Sequence, residues 1–507
     1  LHIPEHESRH KLMRTIFTGL CGLILSTGAA SALDLTEIGS TQVGVGEGYA
    51  EMLRYQPATG MIIVTSSANG QLSRIDISNP AHPVKASPLD LDGGEVTAVA
   101  VHRDLIAASV PGKAAGDAGR IVLFGRDGQP MASVETGPLP DNLAFSSDGR
   151  FVISANEGEP SKDYKTDPPG GFTILDLSDG ADRPRVSHVS LYGSHMPTGA
   201  RIVKPGASFA SDAEPEYVTV DSNNRTAYAT LQENNALAVI DLPTASITGL
   251  YGFGFKNISH QAHDMSDKDS GVNMRSWPVR LMYQPDAIQS YRMGGQTYLV
   301  TANEGDSKDY DGFSEETRVA KLKLDPATFP DAETLQQPAN LGRMKTTTTL
   351  GDTDGDGDHD QIYGYGGRSF SIWTTSGELL FDSGNAFEAI IAGRNPELFN
   401  ANGETAEQDQ RSDDKGPEPE ALTLGAIDGR HYAFIGMERN NAIFAYDITN
   451  PANPKLAGYL MPGTRHNSPE GLDFIPASES PNGKPLLIAA FEVSGTVAQI
   501  KDREAAR

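Results

Sequence analysis

The fold of this chain is decided by Pro215-Glu216-Tyr217-Val218-Thr219-Val220-Asp221-Ser222-Asn223-Asn224-Arg225-Thr226-Ala227-Tyr228-Ala229-Thr230-Leu231. This stretch is followed by Gln232-Glu233-Asn234-Asn235 and the apolar run Ala236 to Leu242. Tyr217 to Val220 alternates in polarity and ends at a polar turn, and Thr226 to Leu231 forms a second run before the Glu-Asn-Asn turn. Short apolar runs between polar turns predict a three-stranded antiparallel meander, led here by an acid.

The same order recurs along the chain. Each copy begins at an acid, and these leading acids are Glu51, Glu95, Asp141, Glu216, Asp286, Glu420 and Glu470. The copy led by Asp286 reaches its third strand, Ser369 to Thr374, only after a long polar insertion, and a further β-like stretch follows most copies. The repeat predicts an all-β, seven-bladed β-propeller with an acidic insertion in the fifth blade. An array of β-sandwiches is the alternative.

The ends of the chain predict how the ring closes. The last unit lacks a fourth strand, whereas a strand-like stretch, Leu33 to Val43, precedes the first unit. Pairing the two removes exposed sheet edges. We therefore expect one propeller domain over 33–507, closed by an N-terminal strand, with the insertion at 311–364.

Residues 1–32 carry the pattern of an export signal. Met13-Arg14 precedes an apolar run from Ile16 to Leu25, and Ala30-Ser31-Ala32 supplies a small-x-small cleavage pattern. The run is shorter than the roughly 20 residues of a membrane span. We expect export to the periplasm or the extracellular space after cleavage near Ala32, with an uncleaved anchor as the alternative. Residues 1–12 are set aside.

Charge and cysteine content narrow the function classes. The chain has 41 Lys and Arg against 67 Asp and Glu, a formal charge of -26. Such a charge repels nucleic acid and anionic membrane surfaces. Bound cations would relieve the repulsion among the chain's own acidic groups. Cys21 is the only cysteine and lies in the signal segment, which excludes cysteine catalysis and disulfides after cleavage. The chain ends at Arg507 without a sorting tail, so we expect a soluble protein. We also expect no membrane span and favour a monomer.

Propeller geometry brings the acids together. The first strands line the channel, and the loops before them open on the same face as the loops after the second strands. These later loops carry Glu157, Glu159, Glu233, Glu304, Asp306, Glu438 and Glu492. Crowded carboxylates raise each other's pKa unless cations bind, and oxygen ligands suit hard divalent ions. Acids that merely cap turns are the alternative.

A duplicated segment carries part of this set. Ala155-Asn156-Glu157-Gly158-Glu159 is followed by Asp163, and Ala302-Asn303-Glu304-Gly305-Asp306 is followed by Asp309. Acids at this spacing around a glycine turn predict one wrapped cation per copy. A turn that only shapes the loop is the alternative.

The insertion carries a second metal pattern. Asp352, Asp354, Asp356 and Asp360 follow calcium-loop spacing, with Gly357 at position 6 and Tyr363 in place of the bidentate Glu at position 12. We expect a structural calcium site that tethers the insertion, with a solvated acidic turn as the alternative.

Four basic or histidine residues are candidates for neutralising charge at the mouth. They are Arg411, Lys415, Arg368 and His466, and each alone is more typical of a surface ion pair. The chain has no Gly-rich phosphate loop before a helix, no Gly-x-Ser-x-Gly elbow and no zinc-type Cys/His spacing.

These residues resemble the choice-of-anchor I family of exported bacterial proteins from about Ile38 to Ile500. The motifs that carry the resemblance are Ala155 to Pro160, Leu231 to Leu237, Tyr283 to Ala287, Thr301 to Asp306, Gly366 to Trp373, Arg411 to Glu420 and Ser468 to Leu472. The resemblance implies either an atypical alkaline phosphatase or nucleotidase, or a protein similar to mesenchyme-specific cell-surface glycoproteins associated with mineral deposition.

Two functions follow from this reading. The first is metal-dependent hydrolysis of a small phosphorylated substrate, with calcium and a second divalent or transition metal at the mouth. The rival is a non-catalytic calcium-binding surface or mineral-associated protein that uses the same acids.

Overall fold

The computed structural model describes residues 32–91 and 94–503, and most of its strands lie in four-stranded antiparallel sheets. Residues 1–31, which carry most of the predicted export signal, lie outside the described residues. Within them, seven four-stranded sheets follow one another along the chain. In hydrogen-bonded order, sheet 1 consists of Leu53–Gln56, Met61–Ser66, Gln71–Asp76 and Val84–Asp90, sheet 2 of Val99–His102, Leu105–Val110, Ala118–Phe124 and Pro130–Pro138, and sheet 3 of Pro140–Phe145, Phe151–Asn156, Gly171–Asp176 and Arg185–Ser190. Sheet 4 consists of Pro215–Val220, Thr226–Leu231, Ala236–Asp241 and Ser246–Gly252, and sheet 5 of Ile288–Met293, Gln296–Asn303, Ser369–Thr374 and Leu379–Asp382. Sheet 6 consists of Pro419–Ile427, Arg430–Met437, Ile443–Asp447 and Lys455–Leu460, and sheet 7 of Pro469–Ile475, Leu486–Phe491, Thr496–Asp502 and Leu35–Gln42.

Apolar side chains on the sheet faces form the core. Second strands such as Phe151–Asn156 and Leu486–Phe491 are buried on both faces, whereas outer strands such as Arg185–Ser190 are largely exposed. The first strands of successive sheets contact one another, and the first strand of sheet 7 contacts that of sheet 1. This order places the starts of the first strands side by side.

Leu35–Gln42 pairs with the last strand of the chain. The pairing is antiparallel, with Leu35 opposite Asp502 and Gln42 opposite Thr496, and a bulge falls between Glu37 and Gly39. Backbone groups on the edge of Thr496–Asp502 are thereby hydrogen-bonded instead of exposed.

The segment between Asn303 and Ser369 forms a separate small core with residues 255–283. Phe255–Asn257 pairs with Val279–Met282, which pairs in parallel with Ile362–Gly364. Ile258, Trp277 and Phe329 are buried in this core. Three further strand pairs are Ala262–His263 with Arg275–Ser276, Asp309–Tyr310 with Phe313–Ser314, and Glu316–Arg318 with Lys345–Thr347. The α-helices of the described residues are Phe209–Asp212, Ala332–Leu335 and Ala386–Arg394. The 3₁₀ helices there are Ser67–Asn69, Val319–Lys321, Pro396–Leu398 and Thr405–Glu407.

Candidate metal centre at the channel mouth

The first strands aim their leading acids into the channel through proline-led bulges. A proline precedes Asp141, Glu216, Glu420 and Glu470, and the pairing register shifts at each of these acids. A bulge re-aims a side chain, and a strand-leading proline needs no ladder donor. Sequence and backbone therefore direct these carboxylates to one place.

Five of the seven leading acids line a single cavity of about 140 Å³. They are Asp141, Glu216, Asp286, Glu420 and Glu470. The other two do not line it: the Oε1 atom of Glu51, which is close enough to Glu470 and Asp141 to interact with their charges, accepts a hydrogen bond from the Ser67 hydroxyl at 2.6 Å, and Glu95 lines a separate groove of about 860 Å³. The convergence expected from the repeat thus holds for the five acids in the cavity wall.

These carboxylates lack cationic partners in the cavity wall. Burial raises the pKa of Glu216, Asp286, Glu420 and Glu470 well above the ordinary range, and neighbouring carboxylates raise it further. The Oε2 atoms of Glu420 and Glu470 are buried without a hydrogen-bond partner. Buried acceptors of this kind are costly, so each requires a proton or a cation.

The loops after the second strands add further acids on the side of sheets 5 and 6. Carboxylate oxygens of Glu304, Glu420 and Glu438 lie within 4.8 Å of one another, a distance that one ion can span. Burial and the adjacent Glu418 raise the pKa of Glu438 to about 8. Lys415 Nζ lies 2.6 Å from Glu304 Oε1 and Arg439 Nη1 lies 2.9 Å from Glu438 Oε1, so two members of this triad already have a cationic partner.

A second acidic group lies on the side of sheets 3 and 4. Burial raises the pKa of Glu157 and Glu233 well above the ordinary range, and Glu214 adds to both effects. Oε2 of Glu233 and Oε2 of Glu214 are buried and unpartnered. Lys308 Nζ lies 2.7 Å from the other oxygen of Glu214.

The structure does not bring the acids of each duplicated loop together into a triad. Asp163 is exposed and pairs with Lys165 at 2.6 Å, and Asp309 is exposed in a short strand. Asp306 is exposed too, and Glu159 accepts a hydrogen bond from the Tyr310 hydroxyl at 3.1 Å. In residues 32–91 and 94–503, the acid triads with ligand atoms within 4.8 Å include none of these four acids.

Instead, the two duplicated loops contact each other. The amide of Gly312 donates to the carbonyl of Lys162 at 3.0 Å, and the rings of Tyr164 and Tyr310 meet edge to face at 5.5 Å. Gly305 has a positive φ of 98°, and a Cβ there would clash with the backbone of Gly366. Glycine in this turn therefore allows the close approach of two backbones.

The acidic loop of the insertion brings three of its four predicted ligands together. Oxygens of Asp352, Asp354 and Asp360 lie within 4.8 Å of one another. Both oxygens of Asp352 accept backbone N–H groups, from Gly355 at 2.7 Å and Gly357 at 3.0 Å. Asp356 lies outside this triad and accepts the amide of Asp358 at 3.1 Å.

Arg411 and Lys415 both pair with Glu418, an acid that is not among the residues predicted from the sequence. Arg411 lies 2.5 Å and Lys415 3.4 Å from its carboxylate oxygens, and Arg439 lies 3.2 Å away. Burial raises the pKa of Glu418, but the three cations outweigh it and hold the value at about 2. The repeated tripeptide Glu-Pro-Glu, at 214–216 and 418–420, is the signal that could have revealed Glu214 and Glu418.

Arg368 is wholly buried and away from the cavity wall. Its Nη1 atom lies 2.9 Å from Glu388 Oε1, and its guanidinium also donates to the carbonyls of Asp264, Ser412 and Asp414 at 2.6 to 2.8 Å. These contacts tie residues 255–283 to the loop that leads into sheet 6. They leave little of the guanidinium for a substrate.

His466 is buried as well. Its Nδ1 atom lies 2.8 Å from the Thr496 hydroxyl and its Nε2 atom 3.3 Å from Glu37, and burial lowers its pKa. Among the described residues that line the 140 Å³ cavity, none is Arg368, Arg411, Lys415 or His466.

Comparison with known proteins agrees with this architecture. A family model described as the choice-of-anchor I domain matches residues 51–451. Gigasin-3a of Magallana gigas is 31% identical over 186 residues, which cover 32% of this chain and 65% of that protein. A mesenchyme-specific cell surface glycoprotein of Strongylocentrotus purpuratus is 27% identical over 303 residues, covering 51% of this chain and 38% of that protein.

Among solved structures, a hydrazine synthase of Kuenenia stuttgartiensis has a TM-score of 0.51 at 11% identity and covers 91% of this chain and 98% of its own. This likeness concerns the fold alone. Successive four-stranded antiparallel sheets with an acidic channel mouth define an all-β propeller. Within that class, the chain belongs to the choice-of-anchor I family.

Proposed function

We propose that this chain is an extracellular β-propeller whose channel mouth binds divalent cations, calcium among them, without catalysing a reaction. The observation that carries the proposal is the 140 Å³ cavity walled by five leading carboxylates, two of them with buried, unpartnered oxygens. A hard cation satisfies several such oxygens at once, and calcium accepts six to eight. Glu304, Glu420 and Glu438 form the first ligand set we assign, and Glu157, Glu214 and Glu233 line the second part of the mouth.

The proposal includes a ring of seven blades closed by Leu35–Gln42. Its support is the order of contacts among first strands, which returns from sheet 7 to sheet 1, and the pairing of Leu35–Gln42 with Thr496–Asp502. A closed ring fixes the leading acids at one radius, which a flexible array of sheets would not do.

The extracellular location draws on two observations. One relative is named a cell surface glycoprotein, and residues 1–32 carry an export-signal pattern. No helix in the described part of the chain is long and apolar enough to cross a membrane.

Binding without turnover is favoured over phosphoester hydrolysis by the state of the basic residues. Arg368, Arg411 and Lys415 are engaged in ion pairs with Glu388, Glu418 and Glu304, and His466 is buried beside Glu37. A phosphatase needs groups free to neutralise charge that develops on the transferring phosphoryl. Because these basic residues are already paired, we favour binding over metal-dependent hydrolysis of a small phosphorylated substrate, which remains the competing prediction.

Calorimetry on chelator-stripped protein tests the proposal. We expect wild-type protein to bind calcium. Glu420→Gln is expected to bind calcium at least about tenfold more weakly, since a ligand is lost. Glu378→Gln, which changes an exposed residue, is the control and is expected to match the calcium affinity of wild type. Equal calcium affinity in all three proteins would refute the assignment of the mouth. Turnover of phosphate mono- or diesters by metal-loaded wild-type protein would overturn its non-catalytic character.

A further inference from the structure

A pocket of about 710 Å³ opens at the end of the channel opposite the acidic mouth. Residues that line it include Arg54, Tyr55, His102, Arg103, Asp473 and Phe474. They lie within or just after the later parts of the first strands of sheets 1, 2 and 7, whereas the leading acids lie at the starts of these strands. Because the first strands of a propeller run in the same direction along the channel, the two sets face opposite ends.

Arg54 lies between the two openings. Its Nη2 atom donates to the hydroxyl of Tyr217, a residue of sheet 4, at 3.2 Å, and its Nη1 atom donates to the carbonyl of Leu53 at 2.7 Å. Sheets 1 and 4 are three apart in the seven-sheet order, so the contact with Tyr217 crosses the channel. It separates the acidic cavity from the pocket below.

The charge of Arg54 has only neutral hydrogen-bond partners. In the described part of the chain, its guanidinium nitrogens hydrogen-bond to the Leu53 carbonyl and the Tyr217 hydroxyl and form no ion pair within 4.0 Å. Asp473 lies close enough for its charge to stabilise that of Arg54, but its oxygens accept backbone amides, Oδ2 that of Tyr55 at 2.8 Å and Oδ1 that of Phe474 at 3.0 Å. A half-buried guanidinium facing a pocket with unused donors is a site for a planar anion.

The rest of the wall selects for an apolar body. Tyr55, Pro57, Val101 and Phe474 supply aromatic and aliphatic surface to the same pocket. We infer that this pocket binds a small organic monocarboxylate, with its carboxylate on Arg54 and its aromatic or aliphatic part against this surface. A single negative charge is favoured over a phosphate dianion because the chain carries a net charge of -26 and two acids, Asp473 and Glu479, are in the wall.

Phenylacetate is the probe, and ligand-observed NMR with calorimetry is the readout. Wild-type protein is expected to bind phenylacetate more tightly than benzyl alcohol, which lacks the charge, and than phenyl phosphate, which has more of it. Arg54→Gln is expected to weaken phenylacetate binding at least about tenfold, the loss for one charge-assisted hydrogen-bonding group. Tyr217→Phe leaves the guanidinium in place and removes one partner, so binding is expected to be retained.

Two controls keep the outcome decisive. Arg54→Lys keeps the charge but loses the planar fork, and an intermediate affinity is expected, which covers the case in which Arg54→Gln does not fold. Glu420→Gln alters the opposite mouth and is expected to leave phenylacetate binding unchanged, so this test is independent of the cation site. Equal binding by wild type and by a folded Arg54 variant, or no binding by wild type at millimolar phenylacetate, would overturn the inference.

Discussion

Replacing Arg368 with Met tests whether this arginine holds the structure together or serves chemistry. Its side chain and that of Glu388 are both 0% exposed, and they are joined at 2.9 Å. The substitution leaves Glu388 buried with His263 and Asn400 as remaining partners, and deprives three backbone carbonyls of a donor. Breaking a buried ion pair from one side costs about 3–5 kcal/mol of unfolding free energy.

Urea unfolding followed by circular dichroism measures this loss. The matched control is Arg150→Met, which breaks an exposed pair with Asp176 and is expected to lower the unfolding free energy far less than Arg368→Met does. Arg368→Met/Glu388→Met removes both charges and is expected to regain part of the loss. If Arg368→Met unfolds within about 1 kcal/mol of wild type, the structural role assigned to Arg368 is wrong.

Three further predictions concern pH, the ring and the insertion. The pKa of Glu388 is about 2 because His263 and Arg368 outweigh the effect of burial. Its contribution to the free energy of unfolding is therefore complete above the unfolded value near 4.5 and is lost as pH falls from 4.5 toward 2. Acid titration of Glu388→Gln should show a smaller loss of unfolding free energy over that window than wild type. Deleting residues 33–43 removes three buried apolar side chains, Leu33, Leu35 and Val43, worth about 1.5–3 kcal/mol each, so an unchanged melting temperature would contradict ring closure. Calcium should slow proteolysis of residues 311–364 in wild-type protein but not in Asp352→Asn, and equal cleavage rates with and without calcium would rule out that site.

The repeat allowed much of the sheet structure to be predicted from sequence. Thr226–Leu231 and Ser369–Thr374 are strands with the predicted bounds, the second despite a long insertion before it. Period-two alternation and polar turns are local signals, so strand positions can be read from them. The proline before a leading acid is also local, and it accompanies the bulges that aim four of the carboxylates.

The partners of the charged residues could not be predicted in this way. Arg201 and Glu315 form a buried ion pair across 114 positions, and residues 255–283 share a small core with the insertion, although the sequence predicts the insertion as 311–364 alone. Such contacts depend on how loops return to each other in space. For the same reason, Arg368 and His466 were expected at the mouth but lie buried among neighbouring loops.

The central claim, a cation centre at the mouth, is tested most directly by anomalous diffraction from crystals of wild-type protein equilibrated with manganese, which shares calcium's preference for oxygen ligands. The account predicts an anomalous peak inside the 140 Å³ cavity within about 2.0–2.6 Å of carboxylate oxygens of Glu420, and loss of that peak in Glu420→Gln. A cavity without anomalous density at saturating manganese, in crystals where the loop at Asp352 is occupied, would contradict it.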